Sequence, residues 1–134
     1  GYRVYVLLSD GELDEGQTWE AAMTAAKYRV DNLTAIVDYN KVQNDGPVEE
    51  IMPLEPLAEK WRAFGWHVSE IDGHDFREII DSLTESMSIK ERPIVVIAHT
   101  IKGKGVSFME KDPDKWHAGA ISEEMARRAL EELA

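Results

Sequence analysis

Ser9-Asp10-Gly11-Glu12-Leu13-Asp14-Glu15-Gly16, read together with Asp38-Tyr39-Asn40-Lys41-Val42, decides the fold. The apolar run Val4-Tyr5-Val6-Leu7-Leu8 ends in Asp10 with a glycine directly behind it, and a second run, Leu33-Thr34-Ala35-Ile36-Val37, ends in Asp38 with Asn40 two residues on. Thirty residues separate Asp10 from Asn40, about the length of one strand–helix–strand unit. Two neighbouring parallel strands would present a carboxylate and an amide oxygen at the same C-terminal edge of a sheet. Ligands bind at that edge in open α/β folds, and hard oxygen donors there suit Mg²⁺ or Ca²⁺. Gly11 lets a ligand approach the backbone closely, and the Val42 carbonyl adds a third oxygen. Taken singly, a turn-capping aspartate and a turn asparagine explain the same letters. An EF-hand does not, because counting from Asp10 the sixth position is Glu15 and the twelfth is Ala21.

The rest of the chain fits around this pair. Its 134 residues are 43% hydrophobic and 31% charged, which suits one globular domain with a modest core. No apolar run approaches the ~18 residues of a membrane span, and no signal-like N-terminus is present, so neither membrane insertion nor secretion is expected. The absence of cysteine excludes disulfides and thiolate metal sites and fits a cytoplasmic protein. A net charge of −11, from 15 basic and 26 acidic residues, argues against a nucleic-acid partner. It also requires that an anionic ligand be neutralised by a metal or by another chain. The chain enters a strand within three residues of Gly1, which suggests a larger domain entered midway; tag removal or processing would look the same.

Val4–Leu8 is expected to be a buried parallel strand. A helix from Gly16 or Gln17 to about Arg29 follows, with Trp19, Ala22, Met23, Ala26 and Val30 on one buried face. Its four alanines allow close approach by a helix or partner, or simply favour helix. Leu33–Val37 is the second strand, Asn44–Pro47 a turn, and 48–56 an irregular loop. A short helix over Leu57–Phe64 ends at Gly65, and Trp66–Ile71 is a half-buried third strand. The spacing predicts a helix over Asp75–Ser88 with Phe76, Ile79, Ile80, Leu83 and Met87 as its core face. Pro93–Ala98 reads as a central strand, 106–120 as loop, and Ser122 caps a last helix over Glu124–Leu133. This alternation indicates an α/β fold with a largely parallel sheet and flanking helices.

Asp10-Gly11-Glu12 with Asn40 also resembles the thiamine diphosphate motif, a GDG followed about thirty residues later by Asn. The strings Asp10–Met23, Asp31–Asn40, Trp61–Val68, Asp72–Asp75, His99–Glu110 and Trp116-His117 are together similar to transketolase, through nearly the whole chain. Ser9 departs from the motif's first glycine but is small enough for the turn. The resemblance implies that residues 1–134 are a partial diphosphate-binding domain with a thiamine diphosphate-binding fold. It implies that Asp10, Asn40 and the Val42 carbonyl hold Mg²⁺ or Ca²⁺, and that Asp10, Gly11, Glu12 and Asn40 contact the cofactor. His117 matches a histidine near the diphosphate and the reacting carbon, able to assist proton transfer. Lys102 and Gly103 are further cofactor-binding candidates, in a segment that lacks the Walker spacing. Glu15 and Glu20 match carboxylates at a dimer interface, although acids favour a helix start in any case. His67 and His99 are expected to be structural, and Gly73-His74-Asp75 a helix start.

By the same resemblance the complete enzyme moves a two-carbon ketol unit from a ketose phosphate to an aldose phosphate. The pyrimidine-binding module, with its activating glutamate and sugar-phosphate arginines, is not matched here, nor is the first part of the diphosphate-binding domain. A transketolase C-terminal (pyrimidine-binding) domain or subunit is therefore the expected partner, in a homodimer or heterotetramer, and the isolated chain is expected to be inactive. 1-Deoxyxylulose-5-phosphate synthase, a 2-oxo acid dehydrogenase E1 component, or a non-catalytic assembly module are the alternatives.

Overall fold

The computed structural model describes residues 1–134. Six strands and six helices follow one another along it: β1 (Val4–Ser9), α1 (Gly16–Lys27), β2 (Leu33–Tyr39), β3 (Val42–Gln43), β4 (Gly46–Pro47), α2 (Val48–Ile51), α3 (Leu57–Ala63), β5 (His67–Asp72), α4 (Phe76–Ser86), β6 (Ile94–His99), α5 (Ser107–Lys111) and α6 (Glu123–Glu132). Four of the strands form one parallel sheet in the order β1-β2-β6-β5, and β3 and β4 make a small antiparallel ladder. The expected α/β fold with a largely parallel sheet and flanking helices is what forms.

Both faces of the sheet are used because alternate residues of each strand point to opposite sides. Ala35 and Val37 of β2 and Val95 and Ile97 of β6 pack with Ala22 and Ala25 of α1 and Leu57 and Trp61 of α3. On the opposite face Val96, Ala98 and Ile71 meet Ile36 and Ile79 of α4. β6 is central and buried, as its unbroken apolar sequence implies. The ends of several helices follow from local chemistry. Asp75 caps α4 by accepting from the amides of Arg77 and Glu78, and Ser122 caps α6 through the amide of Met125. Gly65 takes φ +89° behind α3, where a side chain would be strained.

Five expectations are corrected. β1 is not buried: it is the edge strand, with Leu7 70% and Tyr5 49% exposed, because no helix of this chain covers its outer half. α1 stops at Lys27 rather than Arg29, and Met23 is exposed while Ala25 is buried; the contact face is turned toward small residues that let the helix sit close to the sheet. On α4, Phe76, Ile80 and Met87 are exposed and Ser82 and Ser86 are buried instead. That helix rests on β5 and β6 along its Ile79–Ser82–Ser86 side, so the wider apolar stripe faces outward. The two stretches expected to be loops contain the short helices α2 and α5 and a 3-10 turn over Asp114–Trp116. β5 runs from His67 to Asp72, one residue later than expected. No helix is long and apolar enough to cross a membrane.

Candidate functional site

The C-terminal ends of β1 and β2 lie side by side, with Ser9 opposite Asp38 in the parallel register. Asp10 therefore leaves β1 beside the segment that runs from Tyr39 into Asn40. Its carboxylate is only 2% exposed. One oxygen accepts from the Gly11 amide at 2.9 Å and the other from the Lys41 amide at 2.8 Å. The second bond ties the two strand ends together across 31 residues of sequence. Lys41 sits at φ +65°, a conformation uncommon for a residue with a side chain, and its carbonyl accepts from Val48 at 3.0 Å. Asn40 closes a turn on itself, its side-chain oxygen accepting from the Val42 amide at 3.0 Å. The tight Asn40-Lys41-Val42 turn is thus held from both sides, and the Lys41 amide ties it to the buried Asp10 carboxylate.

The electrostatics of this corner are those of a site short of positive charge. Burial pushes the Asp10 carboxyl above the usual range; the bonds from Lys41 and Gly11 pull it down, Asp38 pushes it up again, and Lys102 lowers it. No salt bridge reaches Asp10. Asp38, which was expected only as a strand end, receives a short hydrogen bond from the Thr100 hydroxyl at the end of β6. Nearby, burial and the Glu55 carboxylate that accepts its proton push the Tyr39 phenol upward. The Glu55 carboxyl is lowered, chiefly by the Leu57 amide.

These residues fit a divalent cation with a diphosphate. A desolvated carboxylate beside a second carboxylate is relieved by a nearby cation, and each of its oxygens keeps a lone pair beyond the amide it accepts. The donors offered are carboxylate, amide and carbonyl oxygens, the set that hard cations take. The chain contains no group of three or more His, Cys, Asp or Glu side chains able to hold a metal, so a cation here would need further oxygen donors from outside the chain. The backbone also leaves room: a side chain at Gly11 would meet nothing nearer than Gln43 at 3.9 Å. Packing within the chain does not require a glycine there.

The other candidates fall into three groups. Lys102 and His117, fifteen residues apart, are brought together, with Lys102 Nζ 3.0 Å from His117 Nδ1. Gly103 takes φ +76°, and a Cβ there would come 2.5 Å from that of Met109, so its role in this fold is to let α5 close over the loop. Glu12 is engaged locally: its carboxylate accepts from the Ser9 amide at 2.8 Å and the Ser9 hydroxyl at 3.0 Å, a reciprocal cap of the turn that follows Asp10. Glu15, directly before α1, and Glu20, in its first half, are exposed. Glu15 borders an apolar cavity of about 300 Å³ between β1 and α1. His99 lies 3.3 Å from Glu70, and His67 lies 3.6 Å from Glu85. His74 accepts from the Ile101 amide at 2.8 Å while Asp75 starts α4, as expected.

Sequence reasoning missed two features. One is the Thr100–Asp38 bond, whose only signal was the aspartate ending the second strand. The other is an open polar pocket of about 570 Å³ at the same sheet edge, lined by Tyr39, Lys41, Glu70, His99, Thr100 and Lys104 among others.

Comparison with known proteins identifies the family. Residues 2–133 match the family described as transketolase, thiamine diphosphate binding domain. The chain is 49% identical over 130 residues to the 6-deoxy-6-sulfo-D-fructose transketolase subunit of Clostridium sp. (strain MSTE9), covering 97% of this chain and 47% of that one. It is 48% identical over 131 residues to an apulose-4-phosphate transketolase subunit of Actinobacillus succinogenes, covering 98% and 47%. The crystal structure of transketolase from Campylobacter jejuni superposes with a TM-score of 0.91 at 31% identity, covering 98% of this chain and 20% of that one. The chain thus spans about half the length of the two subunits and a fifth of that transketolase.

Proposed function

The chain belongs to the transketolase family of thiamine diphosphate-binding domains, and from that premise we propose that it forms the metal- and diphosphate-binding part of an enzyme that transfers two-carbon ketol units between sugar phosphates. The observation that carries the proposal is Asp10. It is a carboxylate 2% exposed, without a salt bridge, tied to the Asn40-Lys41-Val42 turn by the Lys41 amide. Such a group is costly to bury unless a cation offsets it.

In this reading Asp10, Asn40 and the Val42 carbonyl hold Mg²⁺, or Ca²⁺ in its place, and diphosphate oxygens and water complete the shell. Gly11 keeps the space over the backbone open for the diphosphate. Lys102 supplies a positive charge to a chain whose net charge is −11, and Gly103 gives the loop the bend that carries Lys102 toward the site. Thiamine diphosphate, when bound, supplies the carbanion chemistry that breaks and forms the carbon–carbon bond. The chain's own part is to fix the diphosphate end, orient the ring by doing so, and offer His117 for hydrogen bonding or proton transfer at the substrate. Glu12 serves the site indirectly by holding the turn after Asp10.

The pyrimidine-binding half would come from a C-terminal domain or a separate polypeptide, in a homodimer or heterotetramer with Glu15 and Glu20 at the contact. Residues 1–134 are then part of one diphosphate-binding domain. The two relatives compared carry names that point to unlike sugars, so the donor is left at the class of ketose phosphates and related ketoses. Reconstitution tests the proposal. With a pyrimidine-binding subunit, thiamine diphosphate and Mg²⁺, the chain is expected to support transfer from xylulose 5-phosphate to ribose 5-phosphate, or from another ketose in a donor screen. Alone it is expected to be inactive. Turnover by the chain alone, or cofactor binding unaffected by Asp10→Ala, would overturn it.

A further inference from the structure

Lys102 precedes α5 in the sequence and His117 follows it, and separate local contacts hold the backbone on each side. On the Lys102 side, Gly103 turns the chain against Met109, and the Val106 carbonyl accepts from the amides of Met109 and Glu110 at 2.9 and 3.0 Å. Val106 itself is 5% exposed. On the His117 side, Trp116 meets Phe108 edge-on at 5.3 Å, and its indole donates to the Phe108 carbonyl at 3.3 Å. The 3.0 Å approach of Lys102 Nζ to His117 Nδ1 is therefore the meeting of two anchored segments.

The chemistry of the contact has one sense. An ammonium has three N–H donors and no acceptor, so it can only donate. The ring nitrogen it donates to carries no proton. We infer that Lys102 is a positioning residue for His117, fixing the ring tautomer in which Nδ1 accepts and the proton sits on Nε2. The Nε2–H of His117 is then the group left for hydrogen bonding, and it can only donate. This deepens the role proposed for His117 and rests on that reading for its functional meaning. The contact itself stands on the geometry. The same ammonium also lowers the Asp10 carboxyl, so one lysine serves both the histidine and the buried carboxylate.

The test uses the full chain without cofactor, labelled with ¹⁵N at histidine, with long-range nitrogen–proton correlation reporting which ring nitrogen of His117 is protonated. At a pH where the ring is neutral, the wild-type chain is expected to show an unprotonated Nδ1 and a protonated Nε2. In Lys102→Met the ratio of the Nε2–H to the Nδ1–H form is expected to fall about fivefold, the equivalent of one exposed hydrogen bond of ~1 kcal/mol. Lys102→Arg, which keeps a donor-only cation, is expected to recover more than half of that loss. A wild-type ring protonated on Nδ1, a ratio unchanged in Lys102→Met, or no recovery in Lys102→Arg would overturn the inference. Because no cofactor is present, the result is independent of whether thiamine diphosphate binds.

Discussion

Replacing Trp61 gives a test of the core whose sign is not obvious from size alone. The indole is 1% exposed at the junction of α3 with the sheet. It lies 5.2 Å from the ring of Trp19 and 4.9 Å from that of Trp66. Its Nε1 is buried and has no hydrogen-bond partner. Trp61→Phe removes roughly 40 Å³, and at about 24 cal/mol per Å³ of cavity that costs ~1 kcal/mol. The lost apolar burial adds ~1 kcal/mol. Against this, the variant eliminates an unpaired buried donor, which contributes a penalty of about 1–3 kcal/mol to the wild-type protein. The terms nearly cancel, so Trp61→Phe is expected to change stability by no more than ~1 kcal/mol. Trp61→Ala empties the site and loses both aromatic contacts, with an expected cost of about 3–5 kcal/mol. Urea unfolding followed by circular dichroism measures both, with unchanged slope as the sign that only stability moved. A loss above ~2 kcal/mol in Trp61→Phe would refute the reasoning, because it would mean that the indole N–H makes a bond the fold depends on.

Three further outcomes follow from the structure. Ile80→Lys and Phe76→Glu are expected to change stability by less than ~0.5 kcal/mol, since both side chains are largely exposed; urea midpoints check this, and a loss typical of the core would restore the sequence-based face of α4. Gly103→Ala forces a side chain into φ +76° and against Met109, so a cost of about 2–4 kcal/mol to the docking of this loop is expected, read as faster amide exchange at Met109 and Glu110. Glu55 is held below the usual carboxylate range by the Leu57 amide, so it contributes stability above its unfolded pKa that is lost as pH falls through the folded value. Glu55→Gln is expected to flatten that part of the acid-unfolding curve, and an unchanged curve would contradict the assignment.

The strands and the pairing of Asp10 with Asn40 were legible because apolar runs ended in chemistry-bearing residues thirty residues apart. What periodicity cannot tell is which apolar stripe this chain covers. Phe76, Ile80 and Met87 have perfect helical spacing, yet the side of α4 that meets the sheet carries Ser82 and Ser86. The same limit applies to β1, whose sequence is that of a buried strand although it occupies an edge. At the site, the types of residue were readable but their mutual bonds were not. The left-handed Lys41, the Thr100–Asp38 bond and the meeting of Lys102 with His117 all depend on where separate segments pack. The local bond of Glu12 was readable too: its spacing from Ser9 is that of a capping pair, and it makes that bond.

The most direct test of the clamp is calorimetric titration of the chain with inorganic pyrophosphate, with and without Mg²⁺, in the wild type and in Asp10→Asn. Pyrophosphate presents the diphosphate alone, so the half of the pocket supplied by a partner is not needed. Binding is expected only with Mg²⁺ and is expected to weaken at least about tenfold in Asp10→Asn, corresponding to ~1.4 kcal/mol. Binding that ignores Mg²⁺, that is absent in the wild type, or that is equal in the two proteins would contradict the assignment of Asp10, Asn40 and Val42 as a metal–diphosphate site.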